Sequence, residues 1–136
     1  MSYKESFSKI AKLLLQKSNE VNIDLNAKDS HSKTGFDWAC IYGSLKLVEM
    51  IIQKSANEKI ELNNADNHGC TPFHHACEKG HSKIAEMLIH NNDKSKLDLN
   101  ARSKGGYTAF HLACNWAQST EDWHRKETGK SIFNAA

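Results

Sequence analysis

Shifted along itself by 37 positions, this sequence matches itself twice over. Cys40, Cys77 and Cys114 stand 37 apart (77 − 40 and 114 − 77), and so do Ala39, Ala76 and Ala113, Thr34, Thr71 and Thr108, Phe36, Phe73 and Phe110, and Asn26, Asn63 and Asn100. A period of that size marks stacked supersecondary units, each too small to bury its own apolar face. The offset reaches the first residues: Lys9 to Ser18 (KIAKLLLQKS) lines up with Lys46 to Ser55 (KLVEMIIQKS), and its apolar part with Ile84 to Ile89 (IAEMLI). The sequence is therefore expected to open partway through a unit. The third copy holds from Leu97 to Cys114, frays through Asn115, Trp116, Ala117 and Gln118, and then fails. Where the first copy has Leu47, Val48, Ile51 and Ile52, it has Glu121, Asp122, Arg125 and Lys126.

The second copy states the local chemistry best. Asp66, Asn67, His68 and Gly69 form a polar cluster with turn character. Thr71 followed by Pro72 predicts a helix N-cap with proline at the first helical position, where the missing N–H costs nothing. Phe73, Ala76 and Cys77 then share one face at i, i+3 and i+4, while His75, Glu78 and Lys79 are expected to point elsewhere. Gly80 ends the helix as a C′ glycine. A second helix is predicted from about Ser82, with Ile84, Ala85, Leu88 and Ile89 as its stripe. Both helices are shorter than the roughly 12–15 residues at which isolated helices become marginal in water. Stability must come from burial against each other and against neighbouring units.

These residues resemble the ankyrin repeat, a hairpin-like loop followed by two antiparallel helices. The resemblance runs from about Ile10 to Trp116 and rests on TPFHHAC with Gly80 and His81 after it, close to the family's Thr-Pro-Leu-His-x-Ala motif. The first copy reads TGFDWACIYGS and the third TAFHLACNWAQ. Gly35 and Ala109 thus replace the proline, Asp37 replaces the histidine matched by His74 and His111, and Ala117 replaces the glycine. The period is also four longer than the usual unit of about 33. Stretches such as Lys54 to Asn63 absorb the excess cheaply, because closure entropy grows slowly with loop length. The resemblance implies an all-α solenoid of about three units with incomplete ends. The expected divisions are an outer helix of a partial repeat over 1–18, repeats over 19–55 and 56–92, a partial repeat over 93–118, and a polar tail or divergent cap over 119–136. Either a wettable cap or a piece cut from a longer array would account for that last segment.

Composition excludes several functions. Eighteen Lys and Arg against sixteen Asp and Glu leave a formal +2, too small a basic footprint to point to nucleic acid. The longest apolar run is Leu13 to Leu15, far short of the roughly 20 residues that span a bilayer or the about 7–15 of a secretory signal. Neither a phosphate-binding glycine loop nor a Gly-x-Ser-x-Gly elbow occurs, and no catalytic constellation is visible. Repeated cysteines in a stack should stand about 8–10 Å apart, too far for a disulfide, which needs Cα atoms within roughly 6.8 Å. No Cys-x-x-Cys spacing suggests zinc. The cysteines are expected to be small buried groups, with Cys70 the exposed exception, in a reduced, cytoplasmic or nuclear setting. His31, His68, His81, His90 and His124 are expected at the surface.

The function that the resemblance implies is non-catalytic: a monomeric adaptor, scaffold or inhibitor that binds another protein without cofactor or metal. The alternative is the targeting segment of a larger multidomain enzyme or ubiquitin-ligase subunit. Family contact positions carry over at the loop tips to Ser30, His31, Lys33, Asn67, His68, Cys70, Lys104, Gly105 and Tyr107. On the inner helices they carry over to Ile41, Tyr42, Glu78, Lys79, Asn115 and Trp116. Tyr42, Lys79 and Trp116 are again 37 apart and would form one row, two aromatics around a cation, if they do not instead pack against loops. In the same family the histidine matched by His74 and His111 holds the loop by hydrogen bonds, and Trp38 is expected to be structural. Asn26, Asn63 and Asn100 follow Asp24-Leu25, Glu61-Leu62 and Asp98-Leu99, a context in which some ankyrin repeats are hydroxylated. A loop-stabilising hydrogen bond is the other role open to them.

Overall fold

The computed structural model describes residues 3–115 and 117. Among them lie α1 (Tyr3–Lys17), α2 (Gly35–Tyr42), α3 (Leu45–Ser55), α4 (Pro72–Glu78), α5 (Ser82–His90) and α6 (Asn92–Ser95), with no strand. Residues 109–115 are again helical, at the place of α2 and α4 one repeat on. Trp116 and the segment 119–136, with Glu121, Asp122, Arg125 and Lys126, lie outside the described residues.

Each inner helix starts where the sequence predicts, for the predicted reason. Thr34 and Thr71 are extended N-caps whose hydroxyls accept from the N–H of Asp37 and His74, and those third residues return the bond to the cap N–H. This is a reciprocal capping box that uses Asp and His in place of Glu. Gly43 and Gly80 turn the chain with φ of +76° and +72°, which favours glycine because an L side chain is strained there. Gly43 is doubly constrained: a Cβ on it would stand 2.6 Å from the His81 ring.

Helices α2 and α4 pack side by side as one layer, and α1, α3 and α5 pack along a second. Between the layers Phe36, Ala39, Cys40, Val48, Ile52, Ala76, Ile84 and Leu88 form the core, closed below by the loop residues Leu62 and Leu97. Each large side chain so covered contributes about 1.5–3 kcal/mol. The loops are joined too. Asn67 N–H donates to the His31 carbonyl at 3.0 Å, and Lys104 N–H to that of His68 at 2.9 Å. Within each hairpin, Asp29, Asp66 and Ser103 N–H close onto the carbonyls of Lys33, Cys70 and Tyr107.

Burial at one repeat position is not uniform. Phe36 is 2% exposed, Phe73 is half-buried and Phe110 is 78% exposed. The same fall runs through the cysteines, from buried Cys40 through half-buried Cys77 to exposed Cys114. Cys70, expected at the surface, is half-buried instead, because the next loop leans on its turn: Gly69 lies close under the backbone of Ser103 and Lys104. Burial pushes the Cys70 and Cys77 thiols up to about 11, and Cys40 higher still, with the Asp37 carboxylate adding to the effect. Since the thiolate is the nucleophile, iodoacetamide is expected to label Cys114 first and Cys40 last under native conditions. Peptide mapping would show the order, and early labelling of Cys40 would contradict this packing.

Candidate functional site

The hairpin tips come together as a row. The interloop bonds set His31, Asn67, His68 and Lys104 along it with exposed side chains, and Asn67 Nδ2 adds a bond to the Ser30 carbonyl at 3.3 Å. Tyr107 is exposed and meets the His111 ring edge-on at 6.1 Å. On the inner helices Tyr42 and Lys79 are exposed, Glu78 and Ile41 half-buried. Trp116, the third member of the expected aromatic row, falls outside the described residues.

A cation does sit against an aromatic pair here, and it is Lys33. The rings of Trp38 and Tyr42 stack at 5.6 Å and 16°, one helical turn apart. Lys33 Nζ lies 5.8 Å from the Trp38 ring, within reach of a cation–π attraction. Trp38 Nε1 donates to Asp29 Oδ2 at 2.9 Å, which ties the ring to the hairpin. Tyr42, 68% exposed, is the free end of this platform.

Beneath the platform lies a buried polar cluster that the sequence reading missed. Lys33 Nζ reaches Asp66 Oδ2 at 3.2 Å, and His75 Nε2–H donates to the same oxygen at 3.0 Å. Asp66 Oδ1 accepts from the N–H of His68 and Cys70. One carboxylate therefore holds its own turn, the preceding hairpin and the following helix. His75, expected to point away from the face of Phe73, Ala76 and Cys77, is 6% exposed because α2 packs over it. The signal was present: its repeat position carries Trp38 and Leu112 in the other copies, both large and apolar.

Asp37, in the histidine's place, changes how units are coupled. In the second unit Thr71 N–H donates to His74 Nδ1, so Nε2 carries the proton and donates to the Tyr107 carbonyl of the next loop at 2.9 Å. A carboxylate has no such proton to give. Instead Asn64 Nδ2 comes back from the next unit, donating to Asp37 Oδ2 at 2.8 Å and to the Ser32 carbonyl at 2.7 Å. Asp37 Oδ1 is left buried without a hydrogen bond, 4.0 Å from His75 Nε2. His81 is likewise a linker and not a surface residue, since its Nε2 bonds the Ile41 carbonyl at 2.9 Å across the repeat.

The two carboxylates beside His75 are driven apart. Burial raises the pKa of Asp37, against the bonds from Thr34 and Asn64. Burial acts on Asp66 as well, but donation from Cys70, His68 and Lys33 outweighs it and its pKa falls. Burial also lowers His75 below its ordinary 6.5, against the pull of Asp66 and Asp37. The stability it contributes is therefore complete above about 6.5 and is lost as the pH falls, because the unfolded chain takes up the proton first. Asp37 acts in the opposite sense nearer the carboxylate range. Thermal melts are expected to shift downward between neutral pH and pH about 5.5, with a shallower slope in His75→Gln. An unchanged slope in that variant would remove His75 as the source.

Two of the three repeated asparagines are loop ties. Asn26 Nδ2 donates to the Lys59 carbonyl and its Oδ1 accepts from Glu61 N–H, and Asn63 does the same with Lys96 and Asp98. The equivalent partners of Asn100 would be residues 133 and 135, outside the described residues. Also among the described residues, no cluster of His, Cys, Asp and Glu could hold a metal ion, and no helix is long and apolar enough to cross a membrane. Compared with known families, residues 36–89 match the family model for ankyrin repeats (many copies). No curated protein matches the chain significantly.

Proposed function

We propose, from the premise that this chain belongs to the ankyrin-repeat family, that it is a non-catalytic adaptor, scaffold or inhibitor that holds a protein partner along its concave face. Ankyrin repeats are in general protein–protein interaction modules. The single observation that carries the reading for this chain is the solvent-facing row of His31, Asn67, His68 and Lys104, on the hairpins to which the Trp38–Tyr42 stack is tied through Asp29. Large aromatics at a rigid edge give contact area at little entropy cost, and such residues dominate interface energetics. The support beneath them is internally bonded, so binding need not order it first. In this reading the protein works in the cytoplasm or nucleus. Asn26, Asn63 and Asn100 are the asparagines at which hydroxylation would be sought. Mass spectrometry of cell-derived protein showing all three asparagines unmodified would remove that modification.

Crosslinking pull-downs from cell extract, read by mass spectrometry, test the binding face. Wild type is expected to retain a partner that Tyr42→Ala and Lys79→Ala both lose, with affinity lower by about 30-fold for a residue that acts as an anchor. Identical partner sets for all three proteins would overturn the assignment.

A further inference from the structure

Among the described residues two faces of this stack are open, and they are complementary halves of an interface that the stack already contains. At one end α1 and α2 flank a cleft of about 780 Å3, lined by Phe7, Ala11 and Leu14 on one wall and Gly35, Trp38 and Ala39 on the other. One repeat further on, the positions of Gly35, Trp38 and Ala39 are filled by Pro72, His75 and Ala76, all buried where α2 packs against α4. At the other end the helix over 109–115 presents Phe110 at 78% exposure beside exposed Cys114. Their equivalents Phe36 and Cys40 are 2% and 0% exposed. An inner helix thus has two sides. The side that carries Phe36 and Cys40 closes on the side that carries Pro72, His75 and Ala76 of the next helix. The cleft leaves the second kind of side open, and Phe110 leaves the first.

We propose that a second copy of this chain docks head to tail, its helix over 109–115 entering the cleft between α1 and α2 of the first. The occupant follows from the packing itself. Phe110 and Cys114 reproduce the Phe-x-x-x-Cys pair with which Phe36 and Cys40 already cover α4. In the docked pair Phe110 enters against Trp38 and Ala39, while the stripe of α1 covers Cys114 as α3 covers Cys40. The contact joins two different patches, so it is heterologous, and successive copies extend the stack unless the rotation closes a ring. It does not rest on the concave-face reading. Lys79, the internal equivalent of Tyr42, stays exposed although a unit precedes it, so Tyr42 stays available after docking.

Sedimentation velocity on the full chain, from micromolar to millimolar concentration, tests this. Wild type is expected to grow beyond one chain as concentration rises. Phe110→Glu and Leu14→Glu alter side chains that are 78% and 47% exposed, so each is expected to keep the wild-type circular dichroism and to remain a single chain. Mixed in equal amounts they are expected to form two-chain particles and nothing larger, since one intact cleft then meets one intact helix. Wild type that stays a single chain throughout overturns the proposal. So does association that survives either substitution, or a mixture that fails to pair. Should Leu14→Glu lower the melting temperature, Phe7→Glu, at a 66% exposed position on the same wall, takes its place in the mixture.

Discussion

Phe36→Ala is expected to lower the free energy of unfolding by about 3–5 kcal/mol, whereas Phe110→Ala, the same change at the same repeat position, should cost less than about 0.5 kcal/mol. The difference is cover. Phe36 sits at 2% exposure among Ala39, Cys40, Val48 and Ala76, where removing the ring leaves a cavity that short capped helices cannot close. Phe110 is already in solvent. Against a total stability of about 5–15 kcal/mol for an ordinary domain, the first change alone removes a large share of what holds the stack folded. Urea titration in dilute solution, with the two variants beside wild type, reads the contrast directly. Equal midpoints for the two variants would mean that neighbouring units do not supply the burial argued here. Because α2 touches both α3 and α4, the loss at Phe36 should be felt as one cooperative transition and not as fraying of a single helix.

Asp66→Ala is the second large effect, at about 3–5 kcal/mol, the usual penalty for removing one member of a buried ionic cluster. It strands the His75 Nε2–H and the Lys33 ammonium, and it deprives the His68 and Cys70 N–H groups of their acceptor. Part of that penalty belongs to the partners left behind, which a double-mutant cycle can separate. The third copy carries Leu112 at the position of His75, so His75→Leu places there a residue the repeat already accepts. The double variant His75→Leu, Asp66→Ala should lose less than the sum of the two single losses. Strict additivity would mean that the 3.0 Å contact contributes nothing.

Much of the fold is legible in the residues alone. Thr71-Pro72 and Gly80 delimit α4, and Ser82 opens α5, because capping hydroxyls, proline at the first helical position and a left-handed glycine act within a few residues of chain. The loop tips were legible for the same reason, since a turn cluster that recurs every 37 residues must surface at a constant step. The site was harder. Lys33 reads as a contact position at a loop tip, and in three dimensions it is committed to Asp66 and Trp38. His81 reads as a surface histidine and is instead a cross-repeat strut, and His75, read only as off the Phe73 face, is a buried cluster member. The contacts that join units are far apart in sequence: Lys33 and Asp66 are 33 residues apart, and Ile41 and His81 are separated by 40.

What the sequence determined by itself is the unit: its period, its two helices, their caps and the faces they must hide, all consequences of local backbone preferences and of spacing along one helix. What only the tertiary structure decided is the fate of each copy of a repeated residue. Phe36 and Phe110 carry the same instruction, yet one is sealed and the other bare, because burial belongs to the neighbour on the far side. The polar cluster obeys the same physics. A carboxylate at position 66 becomes a structural centre only once stacking has removed water from around it and brought a lysine from one unit and a histidine from another within bonding distance.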